Sequence, residues 1–301
     1  MSFAALLETL NSVIWSPALV FLCLAVGVYF TLTTLFLQVR CLPDMMRQIV
    51  SNKKSGSGVS SFESLMISLA GRVGVGNIAG VATAIAFGGP GAVFWMWAVA
   101  LLGSATSFIE CTLAQIYKEK DRDTGEYRGG PAYYIEKAYK HTRAGKFMLV
   151  YAVVFAVAMM LATSYFLPGI QANGVAAAMH NAWGTDVRIS AVVLGILLAV
   201  IIMGGVRRIA NFASLVVPLM AVVYILASIV IMFVNFDRID DVFSLIFRSA
   251  FDQEAMFSGM LGAAIMWGVK RGIYSNEAGQ GTGPQSAAAT EVSHPAKQGF
   301  V

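Results

Sequence analysis

Seven stretches of this chain stay apolar for about 20 residues, the length a helix needs to cross a bilayer. They are 17–38, 63–87, 92–117, 147–169, 189–206, 212–234 and 256–290, the last long and interrupted. Backbone polar groups in lipid must be paired within the segment, so such stretches fold as helices. Composition agrees: 13% of the 301 residues are charged, against roughly 25% in a soluble domain. That surface cannot face water all round, which excludes a soluble enzyme and a disordered chain. The expectation is an all-α, polytopic membrane protein. The first apolar run lacks a basic leader and is too long for a signal-peptide core, so it stays a span. Cys23, Cys41 and Cys111 give neither a metal spacing nor a disulfide framework.

The net charge of +4 does not indicate nucleic acid, because the basic residues sort by loop. Loop 39–62 carries Arg40, Arg47, Lys53 and Lys54, loop 118–146 carries eight Lys and Arg, and the fifth-to-sixth connection carries Arg207 and Arg208. The alternating connections hold only Arg188, Arg238 and Arg248, beside Asp186, Asp237, Asp240, Asp241, Asp252 and Glu254. Short basic loops stay cytoplasmic. The N-terminus is therefore expected outside, in a multi-pass plasma membrane protein (bacterial inner or archaeal) whose first span runs inward. Loop 118–146 reads as an ordered cytoplasmic segment with a short interfacial helix around 132–141.

Arg72, Lys270 and Arg271 lie inside spans, where a charge needs a partner, a cavity or a task. All three sit beside glycine clusters. The second span reads Gly71-Arg72-Val73-Gly74-Val75-Gly76-Asn77-Ile78-Ala79-Gly80, and the seventh Gly268-Val269-Lys270-Arg271-Gly272-Ile273-Tyr274-Ser275-Asn276-Glu277-Ala278-Gly279. Both contain Asn-x-Ala-Gly after a basic residue and glycine, five spans apart and in opposite orientation. Inverted repeats opened by a glycine-interrupted helix point to the central site of a secondary transporter. Backbone that leaves the helix at membrane depth is tolerated only where it is buried or faces a polar cavity. Freed amides at a half-helix N-terminus hold a carboxylate, and freed carbonyls replace the hydration shell of a small cation.

Blander readings compete. Gly74-x-Gly76-x-x-Ala79 fits a dinucleotide fingerprint, but that motif requires a preceding strand, and here it lies within an apolar span. Gly80, Gly88, Gly103 and Gly262, taken singly, read as close-packing glycines. His141, His180 and His294 fall in loops or beyond the last break, and no catalytic or metal-ligand set appears in the spans.

Residues Gly74–Gly80 and Ser275-Asn276-Glu277-Ala278-Gly279-Gln280-Gly281 resemble the alanine/glycine:cation symporter family. Gly129-Gly130-Pro131-Ala132-Tyr133-Tyr134 and Phe166-Leu167-Pro168-Gly169-Ile170-Gln171-Ala172-Asn173, ending the fourth span, fit it as well. The resemblance implies a leucine-transporter-type inverted-repeat bundle: a leading helix at 17–38, a five-helix repeat over 63–234 and a second repeat opening at 256–301. Spans two and seven would be discontinuous. It also implies symport of alanine or glycine with Na⁺, or sometimes H⁺, and no other cofactor. By that likeness the amides of Gly74, Val75 and Gly76 meet the substrate carboxylate, and the Gly71 and Val73 carbonyls with the Asn77 side chain stand near sodium. A second repeat as long as 63–234 would run well past Val301, so the second repeat is incomplete and the chain is expected to be a fragment.

Other residues keep two readings. Glu110 is a partner for Arg72 or a proton-coupling group. Glu277 pairs with Lys270 or Arg271, fixing the break or forming a gate, or it touches substrate. Asn276 contacts ion or substrate, or caps backbone. Gln171 accepts from a substrate ammonium or is an interfacial polar residue, and Phe166 and Ile170 bound the substrate methyl or simply pack. A proton-coupled transporter of the same fold, a non-transporting membrane fragment and a channel are the alternatives. Nothing supplies the ring charges or filter repeats of a channel.

Overall fold

The computed structural model describes residues 3–50, 58–251 and 260–301. Lys53, Lys54, Asp252, Glu254 and the expected start of the seventh span at 256–259 lie outside the described residues. The protein is helical, apart from a short antiparallel pair, Glu119–Lys120 with Tyr127–Arg128. Four helices are long and apolar enough to cross a membrane: Glu8–Thr33, Gly91–Tyr117, Gly145–Trp183 and Gly205–Val234. Shorter apolar helices occupy Ala79–Gly88 and Val187–Ile202. This is a multi-pass membrane protein.

Both expected interruptions are present. The second span is Ser61–Arg72, then irregular backbone at 73–78, then Ala79–Gly88. The seventh is Met260–Asn276, then 277–281, then Thr282–Ala288. The expected helix after Arg128-Gly129-Gly130 runs Pro131–Tyr139.

Other expected boundaries shift. The leading helix Pro17–Thr33 ends five residues early because Leu35 and Phe36 turn left-handed, at φ 54° and 52°, before Leu37–Arg40. The fourth span does not end at Phe166–Asn173. It continues to Trp183, so 170–183 is helix and carries His180 with it. Pro168 should kink such a helix, since it has no N–H for the carbonyl four residues back. A π-turn at Ala162–Phe166 widens the helix just upstream, and Pro168 then falls in the first turn of Leu167–Trp183, where no N–H is needed. The sixth-to-seventh connection, expected as loop, contains the helix Ile239–Phe251.

The chain forms two compact units. The first comprises Met1–Leu42, Gly76–Ser107 and Leu226–Gly279. Its centre is Met260–Asn276. Gly88 and Gly76 lie against Trp267 and Tyr274 on one side, so this helix runs antiparallel to Ala79–Gly88. On the other side Gly268 meets Ala92 and Trp95, Gly272 meets Met96 and Val99, and Asn276 meets Gly103, a parallel course along the third span. A Cβ on Gly88 would sit 2.8 Å from Trp267 Cβ and one on Gly103 3.0 Å from Ala278 Cβ, so both glycines serve close packing. Gly262 faces open space. Val20, Val99 and Val269 form the core beneath.

The second unit comprises Pro43–Val75, Phe108–Ile225 and Gln280–Val301. Ser60 and Glu63 cap Ser61–Arg72 reciprocally, each side chain bonding the other's backbone N–H. Thr282–Ala288 runs antiparallel to that helix: Gly283 lies by Arg72, Ser286 bonds Ser68 at 2.7 Å, and Thr290 bridges to Val59. It runs parallel to the third span, with Gly283 near Cys111 and Ala287 accepting from Gln115. Met66, Ala213 and Val217 form a core cluster.

Candidate functional site

In the first unit, the end of one break meets the start of the other. The Ser275 hydroxyl donates to Asn77 Oδ1. A Cβ on Gly76 would stand 3.3 Å from the Tyr274 ring and 3.4 Å from Ser275 Cα, so the close packing of these two segments relies on glycine at 76. Asn276 is taken up by capping: its Oδ1 accepts from Ala278 N–H at 2.8 Å and its Nδ2 donates to Val99 O at 3.3 Å. Tyr274 and Ser275 are the neighbours that motif reading did not single out. They follow from the antiparallel pairing of two spans, which no local pattern reports.

In the second unit, the Val75 N–H donates to Gln171 Oε1 at 3.1 Å. Gly74 exists for this contact, since a Cβ there would lie 2.9 Å from the same oxygen. One turn on, Gly174 admits Val75, whose Cγ2 would be 2.5 Å from a Cβ at 174. Gln171 and Gly174 are three residues apart and share a helix face. Gly174 was the missed signal, a Gln-x-x-Gly pair aimed at the break. Gln171 sits inside the helix Leu167–Trp183 and not at the end of a span, which corrects its expected position. Phe166 and Ile170 are 59% and 43% exposed and do not share its setting.

Gly71 and Arg72 are still helical, and Val73 is the C-cap, its N–H bonded to Leu69 O. The Arg72 guanidinium lies beside Gly283, with Nη2 3.3 Å from where a Cβ would be, and Cys111 Sγ is 3.7 Å from the same point. Glu110, one residue from Cys111, is 7% exposed and near enough to Tyr134 to raise that phenol's pKa, after the larger effect of burial.

Lys270 and Arg271 have aromatic neighbours. Lys270 Nζ stands 5.3 Å from both the Trp15 and Trp267 rings, and Arg271 Cζ 5.5 Å from Trp267. Trp267 is itself stacked on Phe87 at 4.8 Å. A charge at span centre costs about 2.5–3.5 kcal/mol on insertion scales, and a desolvated cation–π contact returns about 2. The rings thus offset most of one charge. Glu277 takes a left-handed φ of 57° and stands two turns beyond Lys270. No cluster of His, Cys, Asp and Glu suited to a metal occurs among the described residues.

The sodium:alanine symporter family matches residues 1–301, the whole chain. The chain belongs to that family. It is a family of transporters, not of enzymes. YrbD of Bacillus subtilis (strain 168), provisionally named a sodium/proton-dependent alanine carrier, is 54% identical over 99% of this chain and 60% of its own length. GlnT of the same organism, provisionally named a sodium/glutamine symporter, is 44% identical over 97% and 59%. The sodium/alanine symporter AgcS of Methanococcus maripaludis is 42% identical over 100% and 66%. The chain therefore spans about 60% of the length of these relatives.

Proposed function

We propose that the chain is the substrate-binding and ion-binding part of a symporter for a small neutral amino acid, alanine or glycine, driven by Na⁺. The reading rests on one observation above the rest: the two broken spans are joined at their breaks through Asn77 and Ser275. The relatives' names supply the chemistry to test, since two are alanine carriers and all three names include sodium.

At the break in the second span one helix ends at Arg72 and the next begins at Ala79. The macrodipole favours a cation at the first and an anion at the second. Sodium is assigned to the Gly71 and Val73 carbonyls with Asn77 Oδ1, and the substrate carboxylate to the amides of Gly74, Val75 and Gly76. Gln171 holds the carboxylate's place on Val75. A hydrogen bond to a charged group is worth about 1.5–3 kcal/mol and a neutral one about 0.5–1.5, so a carboxylate displaces the amide oxygen. The freed Gln171 oxygen then accepts from the substrate ammonium. In this reading the fold is of the leucine-transporter type with the N-terminus outside. Ion and substrate each lower the free energy of the other's bound state.

The test is ¹⁴C-alanine uptake into vesicles with and without an imposed sodium gradient, for this chain and for a version extended to its relatives' length. Uptake that follows sodium supports the reading. Uptake that follows only a proton gradient replaces sodium by H⁺, with buried Glu110 the group to mutate. No uptake by the extended version under either gradient removes the substrate assignment.

A further inference from the structure

Within the helix Met260–Asn276, Trp267, Lys270, Arg271 and Tyr274 are spaced three, one and three residues apart and so share one face. That face turns to the second span, where Trp267 stacks on Phe87 and Tyr274 lies over Gly76. Two adjacent cations stand on it, about 9 Å along the helix axis from the break that begins after Asn276. Among the described residues neither reaches a carboxylate at ion-pair distance. Arg271 Nε is buried and meets no acceptor among them. Aromatic faces stabilise a cation by their quadrupole but offer an N–H no lone pair. The guanidinium therefore keeps a buried N–H with no acceptor among the described residues, next to a second positive charge, on the face that carries Tyr274 over Gly76.

We propose that Lys270 and Arg271 form a station for a small monovalent anion on the aromatic shelf of Trp15, Trp267 and Phe87. Its occupant is the carboxylate of an amino acid approaching the break, or a free halide of the same charge. A planar fork at Arg271 suits a carboxylate and accepts a halide at one N–H. The carboxylate source rests on the proposed transport function, whereas anion binding itself does not.

Iodide tests it directly, because an iodide bound beside Trp267 quenches that indole. Tryptophan emission of the detergent-solubilised full chain is followed during a sodium iodide titration, with sodium sulfate, a bulky divalent anion, holding ionic strength constant. A Trp183→Phe background removes an indole that is 75% exposed. The expected result is a saturable quench whose half-point rises at least tenfold in Lys270→Gln and in Arg271→Gln and returns toward wild type in Arg271→Lys. Competition by alanine but not by alaninamide assigns the carboxylate source. Competition by chloride alone assigns the halide. A linear quench of equal slope in wild type, Arg271→Gln and Arg271→Lys overturns the station, whether or not the protein transports alanine.

Discussion

The two breaks share the sequence Asn-x-Ala-Gly, yet they are built on different physics. In the second span the irregular backbone, 73–78, takes in the asparagine, and the chain is helical again at Ala79, so Gly80 is an ordinary buried helical residue. In the seventh the helix runs through Asn276, and the irregular backbone follows. Because the two helices pair antiparallel, Asn77 at the end of one break and Ser275–Asn276 at the start of the other stand together. The glycines differ likewise. Gly74 and Gly76 have no positive φ; a Cβ would press on the Gln171 amide at 2.9 Å and on the Tyr274 ring at 3.3 Å. Gly279 and Gly281 hold φ of 80° and 85°, which only glycine adopts without strain. One break is thus opened by close approach and the other by backbone conformation.

The largest expected effect tests that second cause. Gly281→Ala forces a left-handed alanine, costing about 1–2 kcal/mol, and sets its Cβ 2.7 Å from Phe155 Cζ and 2.8 Å from Pro131 Cγ. Overpacking adds about 1–3 kcal/mol. The thermal midpoint should fall sharply, and Gly279→Ala, with 4.0 Å of space to Thr106, should show the strain alone. Equal midpoints for the two variants would disprove the crowding at 281.

Gly76→Val comes next and should act on both function and stability. A β-branched residue crowds the backbone against Tyr274 and Ser275, so alanine affinity should drop beyond measurement, and the midpoint should fall by an overpacking cost of about 1–3 kcal/mol with no added strain from a positive φ. Wild-type affinity in that variant would show that no ligand approaches Gly76. Asn77→Ala and Asn276→Ala then separate the two asparagines. Losing the Ser275 acceptor should raise the sodium concentration for half-activation about tenfold, equivalent to about 1.4 kcal/mol. Losing the cap on Ala278 should cost about 1 kcal/mol of stability and leave sodium activation alone. Sodium activation unchanged in Asn77→Ala takes that residue out of the ion site.

How much of this was legible in the sequence follows from what each feature depends on. Apolar length and glycine clusters are local, so the apolar helices and both interruptions could be read. The fourth span was misread at Pro168-Gly169 because a π-turn upstream absorbs the proline, and nothing in Ala162–Phe166 signals one. Gln171 was legible as a polar group near the site, but not as the acceptor for Val75, since that pairing joins residues 96 apart. Asn276 had two readings on paper, and the hydrogen bond to Ala278 engages it in capping.

The smallest effect concerns what holds each break's flanking helix in the second unit. Ser61–Arg72 is fixed by its own capping box, whereas the segment after the break in the seventh span is held by side chains from the end of the third span. Lys118 Nζ and Gln115 Nε2 both donate to Thr290 O. Burial lowers the Lys118 pKa from 10.5 to about 8, with Glu291 opposing, and the Tyr127 ring at 4.2 Å also favours the charged form. A folded-state pKa below the unfolded one means that the unfolded chain binds more protons between about pH 8 and 10.5. Stability from this residue therefore rises with pH across that window and is level below it. The side chain remains partly exposed, so the gain is small. Raising the pH from 7.5 to 10 should increase the thermal midpoint of wild type relative to Lys118→Met, while Glu63→Gln, which alters only the capping box, should track wild type. Parallel pH profiles for wild type and Lys118→Met would mean that Lys118 keeps its proton and that the tether to Thr290 is held by a fixed charge.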